Sequence, residues 1–285
     1  MIMYRIAKLK FCIRNLTGNQ SAARLVPFLY QGDDPDLTYE IRYTDDLIAV
    51  CRGKEIACSA SVRVFEYENS LICAYLLNGQ VFAVREESGD TVILHLHESQ
   101  RNEIWHEYFL PDLLHLERPL IRRDCFVLHS SYIATEHGAI LFTAPSGGGK
   151  TTQAQLWVEH KNARIINGDK TAVCLDAGCW YACGLPISGS SPYWLNENHP
   201  LRAIVILEKA PENRLCRVDI RGFSRILSQT IMNTWDGDYC ARAMDLVSEA
   251  CCEVPVYLYQ CTKEPDAVDV LYQTLFGKED SYGLE

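Results

Sequence analysis

Basic residues are scarce in this 285-residue chain, which has 27 lysines and arginines against 37 acidic residues and a formal net charge of −10. Nucleic acids and anionic membranes are held mainly by clustered lysines and arginines, so this balance argues against general binding to either. It does not argue against a small anionic ligand, because one loop can bind phosphate whatever the net charge. A substantial folded core is expected, since 48% of the residues are apolar.

The chain also lacks the long apolar run of a transmembrane helix, and Met1–Lys8 shows neither the apolar segment nor the cleavage site of a signal peptide. The thirteen cysteines include no C-x-x-C pair: Cys179 and Cys183 are four apart, and Cys251 and Cys252 are adjacent. These spacings fit neither a common zinc site nor a disulfide framework. We therefore expect reduced, mostly buried thiols and a cytoplasmic location.

Residues 1–118 have the pattern of a β-rich domain that ends in a connecting helix. Asn78-Gly79 between two apolar runs is its strongest hairpin signal. The pattern predicts an antiparallel meander, with strands over 4–13, 37–43, 47–51, 61–67, 70–77, 80–85 and 91–97. Apolar side chains at helical spacing predict a helix over 102–118, interrupted by Pro111. This half contains no chemical motif.

Residues 119–285 mix strand and helix patterns and predict an α/β (mixed α+β) domain. Ala203–Leu207 is an apolar, β-branched run, typical of a buried strand. The other predicted strands are 126–133, 139–143, 163–166, 172–175, 180–183 and 254–260, and the predicted helices are 150–160, 224–232, 239–250 and 265–275.

The strongest motif is Ala139–Thr152, in which an apolar strand runs into a glycine-rich turn and Lys150-Thr151 opens a helix. Glycines accept positive φ and let backbone N–H groups converge on phosphate, and the helix N-terminus faces the same anion. Lys150 is expected to reach the β- and γ-phosphates, and the Thr151 hydroxyl to ligate Mg²⁺. The predicted nucleotide-binding residues are Ser146, Gly147, Gly148, Gly149, Lys150, Thr151 and Thr152. Ala144 replaces the first glycine of the G-x-x-x-x-G-K-[ST] pattern.

A second metal-holding group is predicted at Asp169. Phosphoryl transfer needs a second protein ligand for the metal, usually an acidic residue at the end of a nearby strand. Asp169 follows the strand that comes after the loop helix, so we predict that Thr151 and Asp169 bind the metal. The alternative is a plain turn aspartate in a Gly-Asp pair.

The region 119–276 resembles the HPr kinase/phosphorylase family, which shares its nucleotide-binding core with ATP-dependent phosphoenolpyruvate carboxykinase. The stretches that carry the resemblance are Val127–Ser131, Ala144–Thr152, Ile166–Lys170, Tyr181–Gly189, Pro200–Val205 and Val254–Tyr257. The region is most similar to HPr-kinase-related proteins, some of which look like serine kinases acting on proteins or peptides. The resemblance implies a P-loop core for this region, whereas the smaller N-terminal β-rich domain is predicted from its strand pattern and resembles no family.

The resemblance also implies residue roles. His129 matches a histidine on the strand before the loop that lies near the transferred phosphoryl group. The family has two adjacent acids after the loop helix, a general base and a metal ligand, whereas this chain has Gly168-Asp169, and Asp169 matches the second. Three possibilities remain open: His129 replaces the base, positioning and electrostatics carry the transfer, or the chain binds nucleotide and catalyses poorly.

The loop Gly184–Ser191 is small and rich in hydroxyls, which suits the acceptor side of the site, a phosphate contact or a plain surface loop. Arg202 and Arg221 are candidates for stabilising transition-state charge, with surface ion pairs as the alternative.

The sequence thus predicts an ATP- and Mg²⁺-dependent kinase with Lys150, His129 and Asp169 as catalytic residues. Its acceptor is expected to be a serine or other hydroxyl of a small protein or peptide, and a homo-oligomer is possible. The alternatives are a nucleotide-binding regulator or scaffold and a small-molecule kinase.

Overall fold

The computed structural model describes residues 2–15, 22–105, 109–218 and 220–277, and the chain forms two compact units. The first unit comprises Met1–Pro119 with Asn233–Gly237, and the second comprises Leu120–Met232 and Asp238–Glu285. The sequence had placed 233–237 in the second domain. Arg118 explains the difference, because its guanidinium donates to Asp236 at 2.9 Å and lies 4.6 Å from the Trp235 ring.

The first unit contains an eight-stranded sheet in the order β1-β2-β3-β8-β7-β6-β5-β4. Its strands are β1 (Ile2–Ile6), β2 (Leu9–Arg14), β3 (Leu37–Thr44), β4 (Lys54–Cys58), β5 (Val62–Tyr67), β6 (Ser70–Leu77), β7 (Gln80–Ser88) and β8 (Thr91–His97). The predicted meander holds only for β4–β8, because β3 runs parallel to both β2 and β8. The single strand predicted over 4–13 is a hairpin that turns at Ala7, where φ is 50°, and the strand predicted over 47–51 is a turn.

The helix predicted over 102–118 is three short pieces in the described residues. They are a 3₁₀ helix at Glu98–Trp105, α1 (Phe109–Leu113) and α2 (Glu117–Ile121). His115, between α1 and α2, has a φ of 45°, a left-handed conformation that a helix cannot contain. Another 3₁₀ helix spans Ala23–Phe28.

The second unit is built on an eight-stranded mixed sheet in the order β10-β9-β12-β13-β14-β16-β15, with β11 paired to β9 and β10 also paired to β14. The strands are β9 (Cys125–Thr135), β10 (Gly138–Thr143), β11 (Arg164–Asn167), β12 (Lys170–Asp176), β13 (Cys179–Cys183), β14 (Asn198–Lys209), β15 (Arg214–Arg217) and β16 (Val256–Cys261). The helices are α3 (Lys150–Lys161), α4 (Ile220–Gln229), α5 (Gly237–Glu253) and α6 (Asp266–Phe276). The sequence prediction missed β15.

Helices cover both faces of this sheet. Along β10, Ala139 and Leu141 pack in the hydrophobic core on one face, together with side chains of α4 and α5. Ile140 and Phe142 pack in the hydrophobic core on the other face, together with side chains of α3 and α6. This alternation follows from the period of two along a strand and explains why all of β10 is apolar and buried. The strands β10, β14 and β16 are parallel, so their carboxyl ends lie at one edge, where the glycine-rich loop begins.

No helix in the described part of the chain is long and apolar enough to cross a membrane.

Candidate functional site

The glycine-rich loop connects the end of β10 to the start of α3. Gly147 and Gly149 have φ values of 74° and 100°, which glycine tolerates best. A Cβ on Gly148 would lie 2.5 Å from the Ala144 Cβ and 2.9 Å from the Pro145 carbonyl oxygen, so this position also requires glycine. Ala144 does not have a positive φ, and its methyl group is buried. The missing first glycine therefore costs no backbone strain.

The Lys150 side chain is buried inside the glycine-rich loop and contacts the backbone of Ala144. The side chain is 8% exposed, and its Nζ donates to the Ala144 carbonyl at 2.9 Å. Burial lowers the pKa of Lys150, while the nearby Asp169 carboxylate opposes that shift and favours the ammonium form. Lys150 thus supplies a partly desolvated positive charge at the loop. Ser146, Thr151 and Thr152 are exposed beside it and open to a ligand.

Asp169 lies in the turn between β11 and β12 and is held there by Asn167. The Asn167 Oδ1 accepts from the backbone N–H groups of Asp169 and Lys170 at 2.8 and 2.9 Å. Its amide nitrogen donates to the Leu185 and Ile187 carbonyls at 2.8 and 3.0 Å. Sequence reasoning missed Asn167, although an Asn before Gly-Asp is itself a turn signal.

His129 is the partner of Asp169. His129 and Lys170 are paired across β9 and β12, and the His129 Nε2 lies 3.2 Å from the Asp169 Oδ1. The hydrogen bond from His129 is the largest cause that lowers the pKa of Asp169, and the Lys170 and Lys150 charges add to it. Asp169 is therefore ionised at neutral pH. The structure thus brings together the three predicted catalytic residues.

The other ring nitrogen of His129 contacts α4. The Gln229 Oε1 lies 3.2 Å from the His129 Nδ1, and α4 is fixed beside β9 because the Ile231 N–H donates to the Val127 carbonyl at 2.8 Å. Nothing in the sequence marked Gln229, since it is separated from His129 by 100 residues.

The space beside Gly168 is filled by the loop Gly184–Ser191. A Cβ on Gly168 would lie 1.9 Å from the Ser191 Oγ, so no larger residue fits while Ser191 is in place. Gly189, with a φ of 52°, packs against the Asp169 carboxylate, since a Cβ there would lie 3.1 Å from its Oδ2. The loop therefore belongs to the site, and the serine hydroxyl takes the position from which an acidic side chain would project.

A cleft of about 320 Å³ adjoins the glycine-rich loop at the carboxyl edge of the parallel strands. Its lining consists of Gly148, Gly149, Thr152, Gln153, Lys209, Ala210, Cys261, Thr262 and Lys263. The residues from β14 and β16 carry no sequence motif, and only their strand order places them beside the loop.

Of the two arginine candidates, the structure describes the side chain of Arg202 only. Arg202 donates to the His137 carbonyl at 2.5 Å, just before β10 begins, whereas the glycine-rich loop follows the other end of β10. That location removes Arg202 from the site. The Arg221 side chain lies outside the described residues.

The oxygen donors fit Mg²⁺. Magnesium favours one or two protein oxygens together with phosphate oxygens and water, and here the ionised Asp169 and the exposed Thr151 hydroxyl are available. Among the described residues there is no group of three or more His, Cys, Asp or Glu side chains arranged to hold a metal ion. A bound Mg²⁺ would therefore take its remaining ligands from phosphate and water.

Comparison of the chain with known protein families found no matching family, and comparison with curated proteins found no match.

Proposed function

We propose that this chain is an ATP- and Mg²⁺-dependent kinase that transfers the γ-phosphoryl group to a serine or other hydroxyl of a small protein or peptide. One observation carries the proposal: the glycine-rich loop with its buried Lys150 faces the same site as the hydrogen-bonded pair His129–Asp169. The HPr-kinase-like core is part of this proposal, supported by the strand–loop–helix order and the Gly168-Asp169 turn.

Each residue has a task in this proposal. The loop amides and Lys150 hold the β- and γ-phosphates, and Lys150 exchanges its contact with the Ala144 carbonyl for a phosphate oxygen. Thr151 and Asp169 hold Mg²⁺, which when bound neutralises charge on the phosphates. His129 lies beside Asp169, where it orients the carboxylate and stabilises the charge of the transferred group.

The acceptor hydroxyl enters on the side of Ser191 and Gly189. The Asp169 carboxylate lies against Gly189 on that side, and position 168 is a glycine rather than a second acid. Transfer therefore depends mainly on positioning and electrostatic stabilisation, which supply most of the catalysis in phosphoryl transfer.

Titration calorimetry of ATP with Mg²⁺, followed by an ADP-release assay with and without candidate peptides, tests the proposal. Lys150→Ala removes the charge at the β- and γ-phosphates and should lower ADP release by at least about 100-fold. The matched control is Lys161→Ala, at the opposite end of α3, where the lysine pairs with Asp269 at 2.7 Å. Absence of nucleotide binding, or equal activity of the two variants, would refute the proposal.

A nucleotide-binding regulator or scaffold is the second candidate, and the occupied space at Gly168 favours it. Asp169→Asn distinguishes the two, because it removes the charge that holds the metal. A regulator would bind ATP without turnover in both the wild type and the variant. A kinase would turn ATP over in the presence of its acceptor and lose that activity in the variant.

A further inference from the structure

A second cleft, of about 370 Å³, lies at the amino ends of the parallel strands, on the edge opposite the glycine-rich loop. Its volume falls within the roughly 300–1,000 Å³ typical of small-molecule sites. Sheet order assembles its lining: His137 precedes β10, Arg202 lies near the start of β14, and Pro255 precedes β16. The Ile204 N–H donates to the Pro255 carbonyl at 3.0 Å and fixes β14 beside β16. The proposed nucleotide site uses none of these residues.

The Arg202 side chain is fixed by the backbone just before β10. Its Nε donates to the His137 carbonyl at 2.5 Å. Its stem lies over Gly138, where φ is 118° and an added Cβ would lie 3.0 Å from the Arg202 Cγ and 3.2 Å from its Nε. Among the described residues, neither terminal nitrogen of the guanidinium has a hydrogen-bond or ion-pair partner. Arg202 therefore brings two unused donors and a positive charge to the cleft.

The Arg202 guanidinium suits an oxyanion. Its terminal nitrogens lie in one plane and keep their positive charge, so a carboxylate or phosphate accepts hydrogen bonds from both at once. Glu136 also lines the cleft, but its carboxylate is 78% exposed and lies 3.5 Å from the His137 Nε2. Glu136 thus leaves the Arg202 charge available to a ligand.

Most of the other side chains in the lining are aromatic or apolar. The centroid of the Phe276 ring lies 4.3 Å from that of His137 and 5.4 Å from that of Tyr272, so the ring is packed between two neighbours. Pro255 and Tyr257 add further apolar surface. Binding sites for small molecules combine such apolar walls with a few fixed polar groups. A ligand that fits this cleft therefore has one anionic group and an apolar body.

We propose that this cleft binds a small organic anion, whose carboxylate or phosphate group pairs with the terminal nitrogens of Arg202 and whose apolar or aromatic body lies against Phe276. The inference does not rest on nucleotide binding, because the cleft and the glycine-rich loop lie at opposite edges of the same strands. A charge-assisted hydrogen-bonded pair of this kind corresponds to a preference of about 10-fold or more for the anion over its neutral isostere.

Fluorine NMR titrations of the wild type with three probes test the proposal. The probes are 4-fluorobenzoate, 4-fluorophenyl phosphate and the neutral 4-fluorobenzamide. We expect at least one of the two anions to bind about 10-fold or more tightly than the amide, and the tighter anion identifies the oxyanion that the cleft prefers. No binding of either anion at about 10 mM, or equal affinity for the anions and the amide, would overturn the inference.

Variants then assign the anion to Arg202. Arg202→Gln removes the charge and should lower anion affinity by about 10-fold or more, while binding of 4-fluorobenzamide stays the same. The matched control is Arg217→Gln, at an exposed position of β15. Lys150→Ala should also bind the anions as the wild type does. Unchanged anion affinity of Arg202→Gln would overturn the inference, and so would loss of binding in Lys150→Ala, which would place the anion on the glycine-rich loop.

Glu136→Gln gives a second measurement that leaves the contact between Arg202 and the His137 carbonyl untouched. It removes the negative charge from the lining, so anion affinity should rise by about 2-fold at low ionic strength, where charges are least screened. Asp245→Asn is the control, at an exposed position of α5, which packs on the other face of the sheet. Anion affinity that stayed the same or fell in Glu136→Gln would overturn the inference even if Arg202→Gln did not fold.

Discussion

At the scale of single residues, the site depends on polar groups whose partners are fixed by the backbone. Asp169 keeps its place because Asn167 accepts two backbone N–H groups and ties the turn to the Leu185 and Ile187 carbonyls. His129 is held through both ring nitrogens, by Asp169 and Gln229. Such supporting contacts reduce the reorganisation that the charged groups would need during transfer.

His129 gives the residue-scale prediction. His129→Ala removes the hydrogen bond to Asp169 and, in the proposed function, a group beside the transferred phosphoryl, so we expect phosphoryl transfer to fall by about 100-fold. ATP affinity should change little, because the proposed function assigns the phosphates to the loop and Lys150. Steady-state ADP release in the presence of the acceptor measures the effect. His160→Ala, at an exposed position near the end of α3, is the control, and full activity of His129→Ala would refute the role of His129.

At the scale of elements, the loop Gly184–Ser191 and the β11–β12 turn fit each other through Gly168 and Ser191. The Ser191 hydroxyl occupies the space that a side chain at position 168 would need. The Ser188 Oγ donates to the Ser191 carbonyl at 2.9 Å and helps hold this part of the loop. A residue change in one element therefore requires a compensating change in the other.

The substitutions Gly168→Asp and Ser191→Gly, made singly and together, test whether the two elements fit each other at these positions. Gly168→Asp alone forces its Cβ onto the Ser191 Oγ and should destabilise the fold by about 1–3 kcal/mol, as overpacking does. Adding Ser191→Gly removes the clash, so the double variant should regain stability and, with two adjacent acids, should transfer phosphoryl faster than the wild type.

Thermal unfolding and ADP release of both variants measure these effects. Gly237→Asp is the control, because a Cβ at Gly237 meets no atom within 4 Å. A Gly168→Asp variant as stable as the wild type, or a double variant no more stable than Gly168→Asp, would contradict the paired arrangement.

The elements of the site differ in how far the sequence predicted them. The strand, loop and helix around Lys150 were predictable because glycine conformation and apolar alternation are local properties. The loop Gly184–Ser191 was a candidate, but the contact of Ser191 with Gly168 was not predictable. Gln229 and the cleft residues of β14 and β16 were not predictable either, since they reach the site only through sheet order and long-range packing. In the first unit, the same limit explains the failed meander: local pattern marks a strand such as β3 but does not identify its neighbours.

At the scale of the whole molecule, stability depends on buried charges in the first unit. The Glu87 Oε2 accepts from Arg85 at 2.6 Å and from Arg118 at 3.0 Å, and Arg118 also donates to Asp236 at 2.9 Å. This group fixes 233–237, a segment distant in sequence, within the first unit. Removing any one of these four side chains would leave a buried charge without an oppositely charged neighbour, and that would strongly destabilise the fold.

Acid should therefore unfold the protein through its buried carboxylates. Burial by itself would raise the pKa of Glu117, but the neighbouring His115, a backbone hydrogen bond and Arg85 lower it from 4.5 to about 2. For Glu87, the opposing charges of Arg85 and Arg118 likewise outweigh burial, and its pKa is also about 2. Because both values lie below those of the unfolded chain, the ionised forms favour folding. Their stabilisation is complete above about pH 5 and is lost as the pH falls from about 4.5 toward 2.

Glu117→Gln tests the contribution of one carboxylate. The shift in its pKa corresponds to up to roughly 3 kcal/mol at neutral pH, so urea unfolding at pH 7 should show a loss of that order. Between pH 5 and pH 3 the variant should lose less stability than the wild type, because it has one fewer carboxylate to protonate. Glu66→Gln, at an exposed position of β5, should follow the wild-type pH dependence. If Glu117→Gln showed the same pH dependence as the wild type, acid unfolding would have to arise from other carboxylates, and the buried cluster would not control the stability of the chain.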